Sequence, residues 1–317
     1  MTDEQYSENL SVPRKKVDVV LDTDTYNEID DQYALAYLLR STEKLCTKAI
    51  YAAPFFNAHS ESPEDGMEKS YLEIRKILSL MNEEKPVFKG SRTYLPDEKT
   101  AVDSDAARDL AARAKCYSPE NPLYVAAIGA ITDVASAILI DPTIAENIVV
   151  VALGGHAFHY GTNDEFNLRQ DVAAYRVVLK SGAPFVHLPC MGVVSAFTVS
   201  EPEFSYWFEG KNPLADYLYR YTVKEARRCS KNRCRSRCIW DVTAIAWLLN
   251  DGDRFMSSRL EPIALPTYDF RYDPNRLDRY ERYVYDIHRD ELLDDLVRKI
   301  ADMNPTSVEN NDKHPVN

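Results

Sequence analysis

Up to Cys190, short apolar β-rich runs alternate with longer stretches of helical spacing, and that rhythm restricts the possible folds more than any other feature. The runs VDVVLD, TKAIYAAPF, LYVAAIG, NIVVVALGG and APFVHLPC are separated by segments such as EKSYLEIRKILSLM, ITDVASAILI and DVAAYRVVLKSG. Strands that are almost continuously apolar, each followed by a helix, build βαβ units on a parallel sheet covered on both faces. After Cys190 the spacing becomes mostly helical, in EFSYWFEGKNPLADYLYRYTVKEARR, IWDVTAIAWLLND and RDELLDDLVRKIADM. The expected fold class is α/β: a largely parallel central sheet with Rossmann-like βαβ units and added C-terminal helices. No internal repeat and no Gly/Ser-rich or Pro-rich linker divides the chain. One domain is expected over residues 13–303, with 1–12 and 304–317 as disordered tails.

Charge removes two classes of partner. With 38 basic against 50 acidic residues the net charge is -12, which disfavours nucleic acid and anionic membrane surfaces. The opening MTDEQYSENLSVPRKK has no apolar core of a signal peptide, and the richest apolar stretch, YVAAIGAITDVASAILI, carries Asp133 inside it. A cytoplasmic protein with reduced thiols is expected. The cluster CSKNRCRSRC lacks a paired CxxC and is crowded by arginines, so zinc is not expected there.

In an open parallel sheet, ligands bind outside the carboxyl ends of the strands. The first strand ends in an unusual crowd: Asp22, Asp24, Glu28, Asp30 and Asp31 fall within LDTDTYNEIDD. Asp30 and Asp31 alone could serve a helix N-terminus, where each would contribute roughly 0.3–1 kcal/mol. That leaves Asp22 and Asp24 unexplained. Carboxylates gathered at the mouth of a sheet need a proton or a cation, and a hard cation bound by oxygen, calcium or magnesium, relieves several at once. Other polar groups fall after later strands: Asn57, the backbone at Ile128 and Gly129, the loop GGHAFHYGTNDEFN, and Asp241 opening a late helix.

The run VLDTDTYNEIDDQYALAYLL resembles the N-terminal aspartate motif of the inosine-uridine preferring nucleoside hydrolases, usually written DxDPGxDD. Asn57 in AAPFFN, IGAITDVASAI, the LGG ending at Gly155, EFN at Glu165 to Asn167, and WDVTAIA from Trp240 resemble further segments of that family, in order. Several motifs in register are more specific than any one. The resemblance implies Ca2+ held by Asp24, Asp31, Asp241 and the Ile128 carbonyl, with Asp24 also the base that activates water. It implies Asp30, Asn57, Glu165 and Asn167 on the ribose hydroxyls, a nucleoside substrate, and a homodimer or homotetramer. Trp240 stands where pyrimidine-accepting members place a histidine; it can stack on a purine but cannot deliver a proton at neutral pH. The sequence also departs from the motif in having TYNE, two residues longer, where Pro and Gly usually stand. His59, His156 and His159 are alternative acids.

Two other readings stay open from the residues. VVLDTDT also fits the aspartate motif of haloacid-dehalogenase-type, magnesium-dependent phosphatases, with DGDRFMSS as a poor partner segment. A ribose- or nucleoside-binding homologue with weak turnover is the non-enzyme alternative.

Overall fold

The structure, a computed structural model, describes residues 1–230 and 236–302. Its strands are β1 (Val17–Thr23), β2 (Leu45–Ala52), β3 (Val87–Lys89), β4 (Leu123–Ala127), β5 (Ile148–Leu153), β6 (Phe185–Leu188), β7 (Thr198–Val199), β8 (Arg237–Cys238), β9 (Met256–Pro262) and β10 (Tyr280–Ile287). The first helices are α1 (Asp3–Asn9), α2 (Asp31–Arg40), α3 (Pro63–Met81), α4 (Asp105–Ala114), α5 (Thr132–Ile140), α6 (Phe166–Gln170) and α7 (Val172–Ser181). They are followed by α8 (Glu201–Phe208), α9 (Pro213–Ser230), α10 (Val242–Leu248) and α11 (Arg289–Ile300).

Eight strands form one sheet in the order β3-β2-β1-β4-β5-β6-β10-β9, parallel throughout except for the antiparallel β10–β9 pair. The expected α/β architecture is borne out. Strands β4 and β5 are buried along their whole length because helices cover both faces. Val19 and Leu21 pack with α2, α3 and the later helices α8 to α11. Val20 faces the other way, into a second core built on α4, α5 and α7. The chain leaves β1 outward through β2 to β3, then returns to β4 on the opposite side of β1. The carboxyl ends of β1 and β4 therefore flank the switch point where such sheets open a crevice.

One expectation is extended and one corrected. The mostly helical stretch after Cys190 also carries sheet strands: β10 pairs with β6 through Arg282↔Val186 and Tyr283↔His187, and β9 closes the edge. The reason is position at the margin. An edge strand such as MSSRLEP is half exposed and polar, so it lacks the apolar run that marks the central strands. The first dozen residues are also structured. Thr2 and Gln5 form a capping box that starts α1, Leu10 is buried, the Tyr6 hydroxyl donates to the Tyr280 carbonyl at 2.8 Å, and Arg282 Nε donates to the Leu10 carbonyl at 2.7 Å. Those anchors come from β10, far along the chain, so local polarity could not reveal them. The expected tail 304–317 lies outside the described residues. Among the described residues, no helix is long and apolar enough to cross a membrane.

Candidate active site

Four carboxylates converge at the switch point. Asp24 follows β1, Asp30 and Asp31 open α2, and Asp241 is the N-cap residue of α10; their exposures are 1%, 2%, 1% and 4%. Carboxylate oxygens of Asp30, Asp31 and Asp241 all lie within 4.8 Å of one another. Asp30 accepts the Asp241 backbone N–H at 3.2 Å, which ties the first helix of the sheet to a segment more than 200 residues later. Thr23 donates its hydroxyl to Asp31, and Thr23 and Thr25 share a hydroxyl contact at 2.9 Å. Asp24 is different: both of its oxygens are buried with no hydrogen-bond partner among the described residues. Gly129 lets β4 come this close, because a Cβ there would meet the Asp24 backbone nitrogen at 3.1 Å and Asp24 Cβ at 3.2 Å.

Burial dominates the electrostatics of this cluster and mutual repulsion follows. Desolvation, then the charges of Asp31 and Asp30, hold Asp24 well above the usual carboxylate range, and Asp241 is raised in the same way. Asp30 is pushed up to about 7 and Asp31 to about 6, in both cases chiefly by burial. The cation that acts against this on Asp30 is Arg237. Four buried acids, with both Asp24 oxygens unpartnered among the described residues, form an all-oxygen donor set that matches what a hard divalent cation takes.

A cavity of about 280 Å³ opens beside the cluster, lined by Asp30, Ile128, Glu165, Asn167, Trp240 and Asp241 among others. Six of the nine residues to which the family resemblance gives a place in the site thus meet at one opening, while Asp24 and Asp31 are buried and do not line it. Glu165 is the N-cap of α6: Oε1 accepts the Asn167 N–H at 3.0 Å, and Oε2 accepts those of Leu168 and Gly155, each at 2.9 Å. Asn167 in turn donates to the carbonyls of Ile128 at 3.0 Å and Leu153 at 3.3 Å, fastening the ends of β4 and β5 together. Asn57 is set apart. It lines a neighbouring cavity of about 70 Å³, and its amide donates to Asn27 Oδ1 at 2.6 Å. Asn27 and Glu28, from the TYNE segment, line both cavities.

Among the alternative acids, His156 lines the larger cavity, His159 is exposed, and His59 lines the smaller cavity with Nε2 at 3.2 Å from Arg228. Sequence reasoning missed Asn163, which is buried, accepts the His156 N–H at 2.7 Å and has an amide nitrogen without a partner among the described residues. Its only signal was membership of a polar loop that holds several comparable residues. Of the cysteine cluster, Cys238 donates to the Val194 carbonyl at 3.3 Å, while the side chains of Cys229 and Cys234 lie outside the described residues.

A family model described as inosine-uridine preferring nucleoside hydrolase matches residues 19–287, which contain all four carboxylates and every lining residue named above. The chain belongs to that family. It is an enzyme of the nucleoside-hydrolysing class, in a family that depends on metal. Solved structures agree on the fold. A purine-preferring ribonucleoside hydrolase from Gardnerella vaginalis superimposes at a TM-score of 0.72 with 18% identity, covering 90% of this chain and 98% of its own. An inosine-uridine preferring hydrolase from Bacillus anthracis gives 0.65 and 17%, covering 91% and 100%. The type III effector protein XopQ, complexed with adenosine diphosphate ribose, gives 0.66 and 13%, covering 95% and 99%. Among curated proteins, none matches the chain in sequence.

Proposed function

We propose that this nucleoside hydrolase is calcium-dependent and cleaves the N-glycosidic bond of ribonucleosides, purines preferred, to ribose and free base. The observation that carries the reading is the acidic cluster: Asp24, Asp30, Asp31 and Asp241 are buried beside one cavity, and both Asp24 oxygens lack partners among the described residues. Asp24, Asp31, Asp241 and the Ile128 carbonyl would hold the ion. The carbonyl already accepts from Asn167, and its second lone pair remains for a cation. When bound, a calcium ion would neutralise part of the cluster and lower the pKa of water beside it.

The chain's own residues then have distinct tasks. Asp24 takes a proton from the attacking water and directs it at the anomeric carbon. Breaking the bond builds positive charge on the ribosyl ring, as in other glycosyl transfers, so an anionic floor favours the transition state. Asp30, Glu165 and Asn167 orient the ring through its hydroxyls, with Glu165 kept in place by its three backbone N–H donors. Asn57 contributes at the edge, through Asn27. Trp240, half-buried at the cavity, offers an indole face to the leaving base, which supports the purine preference.

The phosphatase reading is not favoured. Its partner segment, at Asp251, pairs with Lys44 just before β2, at the end of the sheet opposite Asp24. The test is release of ribose from inosine, uridine and a nitrophenyl riboside, with and without chelator, by wild type and by Asp24→Ala. Loss of turnover on either intervention supports the reading; turnover indifferent to both would overturn it.

A further inference from the structure

The TYNE segment has no Pro to fix its backbone and no Gly to allow a tight turn, so its shape must come from tethers. There are three. The Asn27 N–H donates to the Asp24 carbonyl at 2.7 Å, within the loop itself. Asn57 holds the Asn27 side chain at 2.6 Å from the loop after β2. Arg237 Nη2 donates to Glu28 Oε2 at 2.7 Å from the ribbon in which β7 and β8 pair through Val199↔Arg237.

The third tether differs in what it joins. Arg237 stands three residues before Trp240 and four before Asp241, so the ion pair links the loop carrying Asp24 to the segment carrying the aromatic wall and the last carboxylate. Glu28 lines both cavities and forms part of the partition between them. The guanidinium is mostly shielded, with its side chain 14% exposed, and its Nε is buried without a partner among the described residues. The Glu28 side chain is 46% exposed, so the pair is partly screened and its role is geometric, holding two segments against each other from a shielded arginine.

We infer that Arg237 is a positioning residue for the riboside: through Glu28 it fixes the TYNE loop and the Trp240–Asp241 segment as one wall of the substrate cavity. This rests on the nucleoside reading above and deepens it. It touches no reacting atom, so its effect belongs in substrate binding and not in the chemical step.

The experiment compares wild type, Arg237→Ala, Glu28→Gln, the two combined, Arg237→Lys and the charge-exchanged pair Glu28→Arg/Arg237→Glu. Steady-state kinetics on inosine are read beside calorimetric binding of inosine and thermal unfolding. The expected result is a KM raised about tenfold in Arg237→Ala and in Glu28→Gln with kcat within about threefold, no additive loss when the two are combined, and partial recovery in Arg237→Lys or the exchanged pair. Equal falls in kcat and thermal stability with KM unchanged would make Arg237 merely structural and overturn the proposal, as would unchanged kinetics. If the wild type binds inosine but does not turn it over, the hydrolase reading fails alone and the binding titration still decides on Arg237. If the wild type does not bind inosine, both fail.

Discussion

Asp22 and Asp24 are two residues apart, both buried, yet their surroundings differ completely. Asp22 is still within β1 and turns toward the α4–α5 layer, where the carboxylate that acts on it is that of Asp133. Asp133 accepts from Ser91 N–H at 2.8 Å, Ser91 Oγ at 2.7 Å and Ser104 Oγ at 2.7 Å, all on one oxygen. Its other oxygen and both oxygens of Asp22 lack partners among the described residues. Gly90 permits this approach, since a Cβ there would meet Asp133 Oδ2 at 2.2 Å. Asp24 lies past the strand end and belongs to four acids beside a cavity. The lesson is that buried carboxylates can be accommodated in two ways. In the enclosed pair burial favours the protonated form, raising Asp133 to about 6 and Asp22 well above its ordinary value. The cluster beside the cavity can take up a cation.

The sharpest way to break that comparison is activity. Asp24→Ala should lower kcat/KM on inosine by about 10³-fold, the scale of a lost general base, whereas Asp22→Asn should stay within about threefold. Comparable losses in the two variants would show that the pairs are not separate. Metal is the next probe. Calcium at a hundredfold its Kd should stabilise wild type and Asp22→Asn by about 2.7 kcal/mol in chemical denaturation, with the gain abolished in Asp241→Asn and reversed by chelator.

A pH difference tests the enclosed pair. Asp133 is fully buried and its folded pKa, about 6, lies above its unfolded value. Its contribution to stability is therefore complete below about pH 4 and is lost as pH rises through 6. Asp133→Asn keeps the acceptor for the two serines and cannot ionise, so its stability relative to wild type should rise on going from pH 4 to pH 7, by on the order of 1–3 kcal/mol. Smallest of all, Ser104→Ala removes one donor to Asp133 and the cap of α4, whose Ala107 N–H it accepts at 3.0 Å. It should cost about 1 kcal/mol in urea unfolding and leave KM unchanged.

How far the site could be read in advance depended on the range of each interaction. Asp24, Asp30 and Asp31 share one strand-loop-helix turn, so their convergence follows from local geometry. Glu165 and Asn167 stand in one short motif that caps its own helix, and were equally legible. Asn57 shows the limit. Its place after β2 was right, but a contact with Asn27 keeps it in the adjoining cavity, and no spacing rule foretells which of two loops lies between it and the cluster. Arg237 was noticed only as one of several arginines crowding a cysteine cluster, because its partner Glu28 is 209 residues away.

What the sequence determined by itself was the parallel core and the chemistry of its mouth. Continuous apolar runs can be buried only between helical layers, and five acids in one turn require either protons or a cation. Tertiary structure alone decided which acids took which course. β1 ends at Thr23, which leaves Asp22 facing α5 and sets Asp24 among the acids beside the crevice. It also decided that α1 and the marginal strands β9 and β10 form at all, because their stability comes from partners remote in the chain and not from their own pattern of residues.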